Sequence, residues 1–213
     1  MDKKQLRLYA ITDRKSASVS DLCGMVEQAI ADNGATIIQL REKNVTDEFL
    51  AKEAKEVKKV CSRYGVPLII NDNAEVALRY ADGVHLGQGD TPVSEVRKRV
   101  GGDFIIGATA KTVQQAIAAE RAGASYLGSG AVFPSPTKKD AIRITYEGLC
   151  EICSAVNIPV VAIGGITAEN INKLAGCGAA GAAVVSAVFG QKDIAEAAKS
   201  LRKLAESCFK EGV

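Results

Sequence analysis

The feature that most constrains this chain is a unit that repeats. Apolar runs begin near residues 7, 36, 67, 83, 104, 126, 159 and 181: "RLYAITD", "TIIQLRE", "PLIIND", "GVHLG", "FIIGATA", "YLGSGAV", "PVVAIGG" and "GAAVVSAV". Most are continuously apolar rather than alternating, the pattern of strands covered on both faces. Between them lie segments of helical period, such as "DEFLAKEAKEVKKVCSRYG", "TVQQAIAAERAG" and "DIAEAAKSLRKLAES". Small residues recur at the joints, as in "NGATIIQL", "ADGVHLG", "AGASYLGS" and "CGAAGAAVV", where a glycine ends a helix and a strand follows. Strands alternating with helices imply a parallel sheet. Eight right-handed βα units close into a (β/α)8 TIM barrel. A doubly wound sheet would use fewer strands and usually a Gly-rich fingerprint after the first. No GxGxxG follows the first strand here. The expectation is an α/β chain forming a single compact domain over 1–213, with "PSPTKKDAIRITYEG" as its longest joint.

Composition narrows the function classes. The net charge of +2 and the absence of a basic cluster point away from nucleic-acid and membrane-surface partners. No apolar run approaches the ~20 residues of a membrane span, and the N-terminus lacks a signal-like core, so a cytoplasmic location is expected. Small-molecule substrates are the expected partners, and the composition is compatible with a homo-oligomer. The six cysteines are scattered. Cys150 and Cys153 form one CxxC, but a zinc site needs two further ligands and the chain has one histidine. Small apolar helix positions are the better reading.

Barrel chemistry sits at the C-terminal ends of strands. Strand two ends in "QLREK", where alternation aims Gln39, Arg41 and Lys43 the same way. Charged residues are seldom buried unpaired, so this face meets solvent or a negative partner. Strand three ends in Asn71 and Asp72; strand four leads to Asp90; strand five ends in Thr109. The joint after strand six carries Ser135, Thr137 and Lys138; strand seven ends in Gly164 and Gly165; strand eight carries Val185 and Ser186. Arginine clamps phosphate bidentately and lysine meets it as a point charge. Two carboxylates in a histidine-poor site suit Mg2+ held partly by substrate phosphates. "GGIT" reads as a helix start, a second anion site. The rim therefore suggests two phosphorylated ligands, one with a metal. Structural readings stand beside these. Asp72 and Asp90 could cap helices, and the two glycines could only turn the chain. Thr12 and Asp13 are taken as structural, Lys111 as solvated, and His85 as a satisfied core histidine.

In their order along the chain, "QLREK", "IIND", "ADGVHLGQGD", "GSGAVFPSPTK", "VVAIGGI" and "AAVVSAV" resemble the thiamine phosphate synthase family over nearly the whole length. The resemblance implies a transferase of thiamine biosynthesis. It would couple 4-amino-2-methyl-5-(diphosphooxymethyl)pyrimidine with 4-methyl-5-(2-phosphooxyethyl)thiazole, giving thiamine phosphate and diphosphate, with diphosphate leaving first. By that similarity Gln39, Leu40, Arg41, Glu42 and Lys43 hold the pyrimidine diphosphate with Asn71, Thr109 and Lys138. Asp72 and Asp90 hold Mg2+. Ser135, Pro136, Thr137, Gly165, Val185 and Ser186 meet the thiazole phosphate. Arg41, Lys43, Thr109 and Lys138 are the expected catalytic groups. The chain departs from the family in carrying Thr109 for a frequent serine and Ser135 for a frequent threonine. Related thiazole tautomerases use a histidine where Lys111 stands, which disfavours that alternative. A non-catalytic phosphate-ligand-binding barrel is the other alternative.

Overall fold

The computed structural model describes residues 1–13, 18–134 and 143–210. Eight strands, β1 (Leu8–Ile11), β2 (Ile37–Leu40), β3 (Leu68–Asn71), β4 (Gly83–Leu86), β5 (Ile105–Thr109), β6 (Tyr126–Gly130), β7 (Val160–Ile163) and β8 (Gly181–Val184), pair in sequence order into a closed barrel. Each neighbouring pair is parallel, including the closing pair β1–β8.

The unbroken apolarity of the runs follows from this closure, because alternate residues enter different cores. Tyr9, Ile11, Ile37, Ile69, Tyr126, Val161 and Ala183 form the inner cluster. Their neighbours Leu8, Ala10, Ile38, Leu40, Leu68, Ile70 and Ala162 pack outward against the helices. Neither face of a strand meets water, so neither selects polar residues.

The outer layer consists of α1 (Val19–Ile30), α2 (Asp47–Arg63), α3 (Ala74–Tyr80), α4 (Val93–Arg99), α5 (Val113–Arg121), α6 (Tyr146–Ser154), α7 (Ser186–Phe189) and α8 (Ile194–Cys208). The starts of the longer helices are set by local chemistry. Ser18 and Asp21 make a reciprocal capping box on α1, and Thr46 accepts from the Phe49 N–H at the start of α2. One expectation is corrected here. "GGIT" does not open a helix. Gly164 and Gly165 adopt φ of 105° and 63°, and the chain turns before a four-residue 3-10 helix at Ile171–Leu174. Two successive left-handed residues cannot begin a right-handed helix. Among the described residues no helix is long and apolar enough to cross a membrane.

Candidate active site

The rim over β2–β5 gathers the charged candidates. β2 ends at Leu40, whose side chain is buried in the outer core, and Arg41 is placed by its N–H donating to Thr12 Oγ1 at 3.0 Å. Thr12 is fully buried and its own N–H donates to the Gln39 carbonyl, so its role is structural as expected. Glu42 is half-buried beside these groups, and Lys43 reaches across to β3, its Nζ 2.5 Å from Asp72 Oδ2. A partly exposed ion pair adds at most about 1 kcal/mol to folding. Its importance is to hold a cation against the first carboxylate of the rim.

Asp72 is one of four described non-glycine residues with positive φ, at 65°. Its N–H donates to the His85 carbonyl at 2.8 Å, which bends the chain at the end of β3 and turns the carboxylate toward the next loop. Asp90 waits there, its Oδ2 accepting from the Gly87 N–H at 2.6 Å. Neither aspartate caps a helix. Asn73 caps α3, and α4 follows Pro92 at its N-cap position without a side-chain cap. Burial works to raise the Asp72 carboxyl, but hydrogen bonds from Lys43, Asp90 and Asn71 outweigh it and hold the group below the usual carboxylate range. Burial lifts the Asp90 carboxyl, and the neighbouring Asp72 lifts it further against the Gly87 N–H. The two carboxyls are close enough to move each other's titration in opposite directions. Among the described residues no three His, Cys, Asp or Glu side chains gather as a metal-holding group.

The rim over β6–β8 is built from backbone. The Val132 and Phe133 N–H groups donate to the Ile163 and Gly164 carbonyls, both at 3.0 Å, extending the β6–β7 pairing past the strand ends. A Cβ on Gly164 would stand 2.5 Å from Ala131 Cβ; one on Gly165 would stand 2.9 Å from the Phe133 carbonyl carbon and closer still to Pro134 O. Both glycines are needed for φ and for space. Pro134 is the last described residue before Ser135, Pro136, Thr137 and Lys138, which lie outside the described residues, as does most of the expected long joint. Both ends of that joint are tied at the rim, since the Ile144 N–H donates to the Ala131 carbonyl at 3.0 Å. Val185 and the exposed Ser186 stand at the start of the short α7 beyond β8.

Two candidates escaped the sequence reading, Tyr9 and Tyr126, which link Gln39 to His85. Gln39 is 3% exposed and its Nε2 donates inward to Tyr9 Oη at 2.7 Å. Tyr9 Oη and Tyr126 Oη lie 2.7 Å apart; Tyr126 Oη is 3.0 Å from His85 Nδ1; and His85 Nε2 is 3.0 Å from Thr109 Oγ1. Desolvation lowers His85 to about 4, with Asp72 opposing weakly, so the ring is neutral near pH 7. The same burial pushes both phenols well above their usual range. The reading of His85 as a satisfied core histidine holds, and its two partners connect it to the rim. Thr109 also accepts from Gln88 Nε2 through its carbonyl at 2.6 Å. Lys111 is set by its N–H donating to Gln115 Oε1. All six cysteines are free thiols, in helices or, for Cys177, just before β8.

Fold and rim define a class first: a (β/α)8-barrel enzyme whose upper rim sets cations and paired carboxylates on one arc and glycine-lined backbone on the other. The family model for thiamine monophosphate synthase matches residues 8–188. Thiamine-phosphate synthase of Clostridium tetani is 46% identical over 195 residues, 91% of this chain and 93% of that protein. Thiamine-phosphate synthase 2 of Streptococcus pneumoniae is 47% identical over 206 residues, 96% of this chain and 98% of that one. The solved thiamine phosphate pyrophosphorylase of Pyrococcus furiosus superposes with a TM-score of 0.86 at 38% identity, covering 98% of this chain and 99% of its own. The chain belongs to the thiamine-phosphate synthase family.

Proposed function

We propose that this barrel acts as one domain to join 4-amino-2-methyl-5-(diphosphooxymethyl)pyrimidine to 4-methyl-5-(2-phosphooxyethyl)thiazole. The observation that carries the reading is the placement of Lys43, Asp72 and Asp90 within one hydrogen-bonded group beside Arg41, across the mouth from the Gly164–Gly165 turn. The first arc suits a diphosphate and the second a single phosphate.

The donor set fits Mg2+. Two neighbouring carboxyls, one raised and one lowered, share the single Lys43 cation, and a divalent ion would add the positive charge that favours both ionised forms. Mg2+ usually takes one or two carboxylates and completes its shell with water and substrate phosphate oxygens. Asp72 and Asp90 would hold the ion, which when bound would neutralise charge on the diphosphate.

In the reaction, the bond from the pyrimidine methylene carbon to diphosphate oxygen breaks, and its electron pair leaves with diphosphate. The aminopyrimidine spreads the positive charge on that carbon. The thiazole nitrogen then supplies its lone pair to form the C–N bond, and no proton need be removed. Arg41, Lys43 and Lys138 meet the departing charge; Thr109, Asn71 and Gln39 orient the pyrimidine, with the backbone around Leu40 and Glu42 completing the cradle. Ser135, Pro136, Thr137, Gly165, Val185 and Ser186 seat the thiazole phosphate. Positioning and charge stabilisation supply the rate enhancement. A location in the cytoplasm suits both the free thiols and the phosphorylated substrates.

The test is diphosphate release and thiamine phosphate formation with both substrates and Mg2+. Activity should need both substrates and disappear in chelator. Binding of both ligands without product would favour the non-catalytic barrel and overturn the proposal.

A further inference from the structure

The polar chain inside the barrel costs the fold something. TIM-barrel interiors are filled mostly by branched apolar side chains. Here Tyr9 (1% exposed), Tyr126 (0%) and His85 occupy that space, and two strands give up side chains to admit them. Gly107 is the register partner of both His85 on β4 and Tyr126 on β6, so it stands directly between them. A Cβ there would lie 2.5 Å from His85 Nδ1 and closer to Tyr126 Oη. A Cβ on Gly128 would lie 3.0 Å from His85 Cε1. Phenylalanines would fill the same volume with no polar atoms to satisfy. The tyrosines instead make an unbroken path from Gln39 to Thr109 across five strands.

The path has a direction. The Gln39 amide nitrogen can only donate, so Tyr9 Oη accepts from it, and since a buried phenol proton without an acceptor is costly, Tyr9 places its own proton on its other partner, Tyr126 Oη. Tyr126 Oη then donates to His85 Nδ1, which must be the bare nitrogen. A neutral imidazole consequently carries its proton on Nε2 and donates it to Thr109 Oγ1. The Thr109 hydroxyl proton is left to point away from the path. If the Gln39 amide turned over, every link would reverse, and Thr109 would spend its proton on His85.

We infer that Tyr9, Tyr126 and His85 are positioning residues that couple the amide orientation of Gln39 to the hydroxyl orientation of Thr109. A ligand that donates to Gln39 Oε1 thereby finds Thr109 set as a donor for its acceptor atom. This matches an aminopyrimidine, which offers amine donors and ring-nitrogen acceptors on one scaffold. The ligand half of the inference rests on the function proposed above; the coupling itself is a property of the free protein.

The chain has one histidine, so 15N-histidine labelling of the full-length protein reports a single imidazole. The expected spectrum at neutral pH is a neutral ring protonated on Nε2, with Nδ1 bare. Tyr9→Phe removes a link that does not touch the histidine. It should redistribute His85 between its two tautomers, which a packing role for Tyr9 would not do. The same variant should raise the dissociation constant of pyrimidine diphosphate about tenfold, the effect of one lost hydrogen bond, and leave thiazole phosphate binding unchanged. Tyr126→Phe should give a larger tautomer shift. A resting Nδ1–H tautomer overturns the direction assigned to the path, and with it Thr109 as a donor to the ligand, whether or not either variant folds; an unchanged tautomer in folded Tyr9→Phe overturns the coupling. The predicted tautomer behaviour in a protein that fails to bind pyrimidine diphosphate would instead sink the ligand assignment and leave the coupling intact.

Discussion

Gly107→Ala would strike the barrel interior at its tightest point. The added methyl would sit between two rings whose polar atoms are 3.0 Å apart, and the Tyr126 ring is fully buried. Neither ring is the free end of a flexible side chain, so both must move. Overpacking of this kind costs roughly 1–3 kcal/mol. Separating Tyr126 Oη from His85 Nδ1 adds about 1–3 kcal/mol for buried polar groups left short of a partner. The reduced entropy of the unfolded chain returns only ~0.4–1 kcal/mol. The net expectation is a loss of about 1–5 kcal/mol, seen as a fall of roughly 2–20 °C in Tm for a domain of this size. Gly24→Ala is the matched control. It lies within α1, and a Cβ there meets nothing within 4 Å. The same glycine-to-alanine change should stabilise the protein by ~0.5–1 kcal/mol. Urea unfolding followed by circular dichroism would measure both against the parent chain. A Gly107→Ala protein within about 0.5 kcal/mol of the parent would show that the interior can yield, and the close three-strand packing argued above would be wrong.

Asp72→Asn and Asp90→Asn should each lower turnover by about 2–4 kcal/mol of transition-state stabilisation with the fold intact, and full activity of either variant in chelator would remove the metal assignment. Arg41→Ala should lower kcat and weaken the pyrimidine diphosphate by a similar amount; titration showing that only the thiazole ligand is affected would reverse the assignment of the two arcs. Gly165→Ala should both destabilise the protein and weaken thiazole phosphate, because φ of 63° and the Pro134 carbonyl leave no place for a Cβ; unchanged thiazole phosphate affinity in the folded variant would count against that site. A Cys150→Ser, Cys153→Ser double variant should keep full activity, and complete loss with normal folding would revive a role for the CxxC.

The barrel was legible because burial on both faces makes each strand a continuous apolar run, and small residues punctuate the joints. The charged arc was legible for the opposite reason, since Arg41, Lys43, Asp72 and Asp90 are polar residues at the ends of such runs. What failed was local. "GGIT" has the composition of a helix start, but only the approach of Ala131, Phe133 and Pro134 shows why both glycines must be left-handed. Tyr9 and Tyr126 were hidden because an inward-facing tyrosine in an apolar run looks like ordinary core. One signal was available. Tyr9 shares inward parity with Ile11, His85 with Gly87, and Gly107 with Thr109. A glycine of the same parity on the strand between two ring-bearing strands marks room for those rings to meet.

The division of the rim into side-chain charge and bare backbone follows from what each arc must hold on the proposed reading. A diphosphate that gains charge as it leaves needs cations able to strengthen their contacts in the transition state, so β2–β5 end in Arg41, Lys43 and the two aspartates. A single phosphate that only anchors its ligand gains no charge during the reaction. Backbone N–H groups suffice for it, provided the chain can come close, and Gly164 and Gly165 permit that approach. The histidine belongs to neither arc. With both ring nitrogens engaged and the ring held neutral at pH 7 by burial, His85 is poorly suited to take a proton from substrate. The proposed chemistry asks for no such base, because the attacking thiazole nitrogen has no proton to lose. The chain's one histidine is thus free to be spent inside the barrel, holding two rim groups in a fixed relation.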